Sequence, residues 1–314
     1  MSLHLLVIVG PTASGKTRLG VEAAHRLGSE IVSADSRQVY RGLDIGTGKD
    51  LEEYARVEPP VPYHMIDIAD PEEVYTLFRF QEDCYRVLGD LAQRTPFAGG
   101  EVPVLMVGGS GLYVEAVVRR YRLADVPMDR DGRAVLEKLP LAELAERLQH
   151  QAPEIAEATD LSNARRVIRA LEIVEFSKAS KVRYSEPPPV QWRLTVFGLE
   201  AERSMLRKRI GRRLRQRLEE GMIEEVRGLL DRGVSRRRLK ELGLEYREVA
   251  AFLEGEKDLD RMVSDLESAI GGFAKRQQTW FRGMERRGVP IRWIAADDVE
   301  AVVAAAVSSP PEAG

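Results

Sequence analysis

The chain has 314 residues, 47 Lys and Arg against 50 Asp and Glu, a net charge of −3 and one cysteine. That length suits one large α/β domain with an insertion, or two domains, and it buries a full core without disulfide or metal staples. The single cysteine excludes a disulfide framework and a cysteine-based zinc site. No basic leader or 18-residue apolar run is present, which leads to the expectation of a soluble, cytoplasmic, monomeric protein with no membrane partner.

Taken in order, the first expected strand is Leu3–Val9, followed by Gly10-Pro11-Thr12-Ala13-Ser14-Gly15-Lys16-Thr17 and a helical pattern from Leu19 to Leu27. This is the strand, glycine-rich loop and helix of a P-loop. Its glycines let successive N–H groups turn toward a phosphate, Lys16 adds positive charge, and the Thr17 hydroxyl is a Mg²⁺ ligand. The loop alone does not say whether the phosphate belongs to ATP or to a diphosphate that leaves.

Further strands are expected at Glu30–Ala34, Tyr63–Ile68, Val102–Val107, Trp192–Leu199 and Val289–Ile294, with helical patterns between most of them. That alternation predicts a P-loop NTPase-like α/β fold with a doubly wound, mainly parallel sheet. Ligands of such sheets lie beyond the carboxyl ends of the strands. The residues to watch are therefore the P-loop, Asp35-Ser36-Arg37-Gln38, Asp67 to Asp70, and Gly108-Gly109-Ser110-Gly111. Asp35 stands where a base must stand to deprotonate an acceptor, although an Asp after a strand also caps turns. Cys84 falls on the apolar stripe Leu77, Cys84, Leu88, Leu91 and reads as a small core residue.

From Pro127 to Pro189 the strand pattern gives way to helical runs, so a helical insertion of residues 127–189 is expected within a core made of 1–126 and 190–300. In the insertion Ala164, Val167, Ile168, Leu171 and Val174 share a face, and Arg165, Arg166 and Arg169 project from the other, as a phosphate-binding or a merely solvated surface. Between Arg203 and Arg217 there are eight Lys or Arg and no acid, around an apolar stripe Leu206, Ile210, Leu214, Leu218. Near the end, Ile270, Phe273, Ala274, Gln277, Trp280 and Phe281 form a stripe opposite Lys275, Arg276, Thr279 and Arg282. A Gln in that stripe needs buried hydrogen-bond partners. The tail, residues 301–314, is expected to be disordered. None of the four histidines has metal-ligand spacing, and His64 is read as part of the third strand.

Together these residues resemble the bacterial tRNA dimethylallyltransferase family. The motifs GPTASGKT, DS…QVY-G-DIGT-K, H-IDI-DP-E-Y, VGG[TS]GLY, R-LRALE and AKRQ-TWFR appear in order at Gly10–Thr17, Asp35–Lys49, His64–Tyr75, Val107–Tyr113, Arg166–Glu172 and Ala274–Arg282. The resemblance implies transfer of a dimethylallyl group to the exocyclic amine of adenosine 37, in tRNAs reading codons that begin with U. Gly10 to Thr17 would hold the diphosphate of dimethylallyl diphosphate with Mg²⁺ on Thr17, and Thr12 and Lys16 would act beside Asp35 as general base. The anticodon stem-loop would meet Asp35, Ser36, Arg37, Gln38, Ser110, Arg133, Arg165, Arg166, Arg169, Tyr246, Arg247, Lys275, Arg276 and Gln277. Two departures from the family pattern stand out: Leu242-Gly243-Leu244-Glu245-Tyr246-Arg247-Glu248 replaces the shorter Ile-Gly-Tyr-[Lys/Arg]-Glu, and the insertion is shorter than usual.

Other readings of the same residues are prenylation of free AMP, a P-loop kinase for a small metabolite, and a non-catalytic RNA-binding module. The basic helices favour RNA over a small acceptor.

Overall fold

The computed structural model describes residues 2–93 and 101–308. Its strands are β1 Ser2–Val9, β2 Ile31–Ser33, β3 Tyr63–His64, β4 Glu101–Gly108, β5 Ala124–Asp125, β6 Arg183–Tyr184, β7 Gln191–Leu199 and β8 Ile291–Ile294. Six of them form one sheet in the order β3-β2-β4-β1-β7-β8, and every pairing in it is parallel. The fold is P-loop NTPase-like. In the centre of the sheet Val9 pairs with both Gly108 and Gly198, so three strands end level with one another and their loops emerge side by side.

Strand alternation divides the core. Leu3, Leu5, Val7 and Val9 of β1 face one cluster, which also holds Phe80, Leu88, Ile210, Leu214, Met262 and Phe281. Leu6 and Ile8 face the other cluster, with Leu19 and Val21 of helix Lys16–Arg26 and Val302 and Ala305 of helix Val299–Val307. Both faces of the sheet are thus covered by helices, and the central strands read as near-continuous apolar runs for that reason. Cys84 is fully buried in the first cluster and burial pushes its thiol pKa up, in keeping with a packing role.

Three expectations need correction. The third strand stops after His64, because Met65 and Asp67 take left-handed backbone angles (φ 67° and 56°) and the chain turns to hydrogen-bond Gln38 and Val39. Residues 301–307 are not a disordered tail but most of the helix Val299–Val307, whose apolar side packs on helix Lys16–Arg26. Residues 309–314 lie outside the described residues. The helical stretch also begins and ends on a strand pair, since β5 and β6 run antiparallel.

The chain divides into two compact units, Met1–Arg120 with Pro188–Gly314, and Tyr121–Pro187. The smaller has its own core of Leu144, Leu148, Ala156, Val167, Ile168, Leu171 and Val174. Within it the buried Glu172 accepts from Arg133 Nη2 at 3.1 Å and Arg169 Nη1 at 3.0 Å.

His4 shows how strictly the sheet interior treats charge. It is 1% exposed, its Nε2 lies 2.9 Å from Thr195 Oγ1, and burial, with Arg193 adding to it, lowers its pKa to about 4. A base held below its unfolded pKa of 6.5 stabilises the fold above that pH and withdraws the contribution as pH falls toward 4. In denaturant titrations the wild type should therefore lose stability relative to His4→Gln between pH 6.5 and pH 4. Parallel curves would show that His4 does not titrate with unfolding.

Candidate active site

At the P-loop the backbone bends through left-handed angles at Ala13 (φ 61°) and Gly15 (φ 96°), and the helix begins at Lys16. The N–H groups of Ala13, Gly15, Lys16 and Thr17 have no acceptor among the described residues, while Ser14 N–H bonds to Pro11 O at 3.3 Å. Thr12 N–H is also occupied: it donates to Gln277 Oε1 at 2.8 Å. The other end of that amide, Gln277 Nε2, donates to Gly109 O at 2.8 Å. Gln277 is 5% exposed, so the polar residue in the apolar stripe finds its partners by tying the loop after β1 to the loop after β4. Lys16 Nζ rests 3.3 Å from Pro11 O. Burial lowers its pKa to about 8, against the opposing pull of Asp35.

Two strands from the P-loop, beyond β4, Asp35 Oδ1 accepts from Arg37 N–H at 2.9 Å, which fixes the turn 35–38. Its Oδ2 has no hydrogen-bond partner among the described residues. Ser110 Oγ accepts from Ser36 N–H at 2.9 Å, Gln38 bonds to Ser33 and to Gly48 O, and Arg37 Nη1 donates to Glu241 O. Close packing explains the glycines between these loops. A Cβ at Gly108 would collide with Ala34 O, and one at Gly109 would lie 2.5 Å from Gln277 Nε2 and 3.4 Å from Lys16 Cε.

Loop 43–50 closes the site and is held by two charged side chains. Lys49, 1% exposed, donates to Tyr40 O at 2.8 Å and to the carboxylates of Asp44 and Asp67. Glu225, on helix Met222–Asp231, takes the N–H groups of Asp44 and Ile45 on Oε2 and those of Gly46 and the Tyr246 hydroxyl on Oε1, all within 2.7–3.0 Å. Sequence reasoning missed both. The signal for Lys49 was its place in a dense motif, but nothing in the spacing of Glu225 announces four acceptor contacts.

Two cavities meet here. One of about 590 Å³ is lined by Lys16, Thr17, Asp35, Ser110, Arg217 and Gln277 among others. The second, about 1070 Å³, lies along Ala13 to Arg18, Arg209 and Arg212. Lys16, Thr17, Asp50 and Arg213 line both. Arginines 209, 213 and 217 follow one another at spacing four on helix Arg203–Glu219. Arg209 donates to Ser14 O at 3.4 Å, Arg213 holds Asp50 Oδ2, and Arg217 Nη2 stands 4.0 Å from Asp50 Oδ1. A cradle of free N–H groups, converging cations and a carboxylate two strands away can bind a diphosphate and deprotonate an acceptor.

Comparison with known proteins agrees with that chemistry. The IPP transferase family model matches residues 38–284, and an isopentenyl transferase model matches residues 1–57. The chain belongs to the IPP transferase family. It is 51% identical over 296 residues to tRNA dimethylallyltransferase 2 of Syntrophotalea carbinolica, covering 94% of this chain and 95% of that protein. It is 49% identical over 298 residues to tRNA dimethylallyltransferase 1 of Geotalea uraniireducens, covering 95% and 94%. Among solved structures, the full-length tRNA isopentenylpyrophosphate transferase of Bacillus halodurans aligns with a TM-score of 0.66 and 36% identity, over 96% of this chain and 94% of that one.

Several residues expected to meet RNA in this IPP transferase also have partners within the protein. Tyr246 is fully buried against Gly46, with its hydroxyl on Glu225. Gln277 is the loop tie already described. Arg133 and Arg169 neutralise Glu172, Arg166 pairs with Asp160 at 3.2 Å, and Arg247 Nε donates to Glu248 at 2.8 Å. Arg165, Lys275 and Arg276 remain exposed. Phe273, expected in the core stripe, is 38% exposed, lines the smaller cavity and has Arg276 5.9 Å from its ring centroid.

Replacing Gln277 by Leu leaves a buried N–H and a buried carbonyl unpaired, a loss of about 1–3 kcal/mol. Unfolding experiments should show that loss, and calorimetry should show inorganic pyrophosphate binding weakened as the P-loop loses its anchor. Unchanged stability and affinity together would mean that the amide tie holds nothing.

Proposed function

We propose that the protein transfers a dimethylallyl group from dimethylallyl diphosphate to the exocyclic amine of adenosine 37 in tRNA, releasing diphosphate. The observation that carries the reading is the shared cavity with P-loop donors at one end and the unpartnered Asp35 Oδ2 at the other. The names of its relatives, tRNA dimethylallyltransferases at about half identity, agree with it.

In this reading the P-loop N–H groups, Lys16 and Arg213 hold the diphosphate. The adenine amine attacks C1 of the prenyl group, the C1–O bond breaks with its electron pair leaving on the diphosphate, and Asp35 takes the amine proton. Electrostatic donors matter most on the leaving group, where negative charge grows. Thr12 contributes through its place in the loop, because its N–H is already given to Gln277.

The donor set fits Mg²⁺. The Thr17 hydroxyl makes no hydrogen bond within the described residues and lines both cavities, the buried Ser14 hydroxyl nearby is unpartnered, and no group of three or more His, Cys, Asp or Glu competes as a metal site among the described residues. A hard cation there would be held by Thr17 and by phosphate oxygens, and would supply charge neutralisation to the diphosphate.

For the acceptor, Phe273 with Arg276 offers a stacking surface at the cavity, and Lys275, Arg276 and Arg165 are exposed cations for phosphates. No helix is long and apolar enough to cross a membrane among the described residues. We propose that it acts on tRNA in the cytoplasm, as a monomer.

Mass spectrometry of nucleosides from an anticodon stem-loop incubated with enzyme and dimethylallyl diphosphate tests the function. Prenylated adenosine should form with the wild type. Asp35→Asn should cut turnover by ~10²–10⁴-fold, the range for a general base, while donor affinity stays within about twofold. Equal losses of affinity and rate would give Asp35 a structural role.

Lys16 adds a pH dependence. Its charged form is favoured below about pH 8 in the free protein, so affinity for inorganic pyrophosphate should hold from pH 6.5 to 7.5 and decline above pH 8. A flat profile to pH 9.5 would mean that the ammonium does not contact the anion.

A further inference from the structure

Arg217 is a charged side chain of the cavity that the protein itself leaves without a hydrogen bond. Its side chain is 14% exposed and makes no hydrogen bond within the described residues. The nearest carboxylate oxygen, Asp50 Oδ1, is 4.0 Å away, and the other oxygen of that carboxylate is held by Arg213. Burial and the neighbouring Arg213 both disfavour its charge and lower its pKa. A guanidinium is nevertheless charged under all ordinary conditions, so Arg217 lines the cavity charged and with its hydrogen-bond donors unused by the protein.

The backbone is shaped to leave this group in place. Gly48 takes a left-handed angle (φ 60°), and a Cβ there would collide with the Arg217 guanidinium. Arg217 lines the same cavity as Lys16 and Thr17, and its charge acts on Lys16. Along helix Arg203–Glu219 it is the third member of the row in which Arg209 braces the P-loop and Arg213 holds Asp50. Asp50 and the cavity-lining Glu245 are the carboxylates that act on Arg217, and neither is hydrogen-bonded to it.

We propose that Arg217 is a direct ligand of the donor's diphosphate, binding its oxygens from the side opposite the P-loop. The inference rests on the prenyl-transfer reading and adds a residue to it. A phosphate is the ligand chemistry that matches a planar fork of donors, and it has two sources here, the donor and the tRNA backbone. Burial of Arg217 in the cavity that Lys16 and Thr17 line, unlike the exposed Lys275 and Arg276, favours the donor.

Calorimetry with inorganic pyrophosphate and Mg²⁺, beside an anticodon stem-loop titration, separates the sources. Arg217→Met should weaken pyrophosphate binding about 10–100-fold, the size of a lost charge-assisted contact, with stem-loop affinity within about twofold. Arg217→Lys keeps the charge but not the fork, and should fall between the two. Pyrophosphate affinity within twofold of wild type in Arg217→Met overturns the assignment, as does a loss confined to the stem-loop. If Arg217→Met fails to fold by circular dichroism, Arg217→Lys decides: unchanged pyrophosphate affinity overturns it. Prenyl transfer by the wild type, measured in the same preparation, keeps the two readings apart, since a wild type that prenylates tRNA beside an indifferent Arg217 variant loses only this inference.

Discussion

The buried amide of Gln277 joins two loops that the sheet can only set side by side. Parallel pairing of β1 with β4 brings Val9 opposite Gly108, but the P-loop beyond Val9 is a run of glycines and small residues with little packing of its own. Gln277 sits on the long helix Leu259–Arg286, where Ile270, Ala274, Phe281 and Met284 anchor it in the core, so its amide is presented by a rigid element. It accepts from one loop and donates to the other, which fixes the orientation of both. A flexible polar residue on the surface could not do this, because ordering its rotamers would cost as much as one hydrogen bond returns.

The same logic runs through the loop 43–50. Lys49 and Glu225 are charged groups withdrawn from water, and each is surrounded by the opposite polarity: a carbonyl and two carboxylates for the lysine, three N–H groups and a hydroxyl for the glutamate. Burying a charge is tolerable only when its hydrogen bonds are met, and a fully met charge accepts one geometry and rejects its neighbours. The loop has little apolar side chain to pack, so polar satisfaction supplies its shape. Tyr246 belongs to this arrangement and fills the space above Gly46.

Much of this was legible in the residues. Six strand segments, the P-loop and the need of Gln277 for partners all follow from periodicity and from the cost of an unpaired amide. The arginines show the limit of that reasoning. Spacing says which face Arg169 occupies, yet not that Glu172, three residues on, and Arg133, from an earlier helix, form a buried cluster with it. A helix face and its partners are different facts, and the second depends on how separate segments meet. The shortened third strand failed for a similar reason: Tyr63 to Ile68 has strand composition, but Lys49 and the turn at Gln38 draw Asp67 out of the sheet. Tertiary pairing of a charge overrides the weaker preference of the apolar residues around it.

The distance between the two ends of the site follows from strand order. The P-loop leaves β1 and Asp35 follows β2, with β4 between them, so two strand spacings, about 9.5 Å, separate cradle and carboxylate. A reacting carbon and nucleophile approach within ~3–3.5 Å, and a base reaches the nucleophile at ~2.6–3.2 Å. Adding a phosphate contact of similar length fills that span. The space must then be empty above the intervening strand, and β4 ends in Gly108 and is followed by Gly109, where any Cβ would press on Ala34, Gln277 or Lys16. Strand order sets the reach of the reaction, and the glycines keep its path clear.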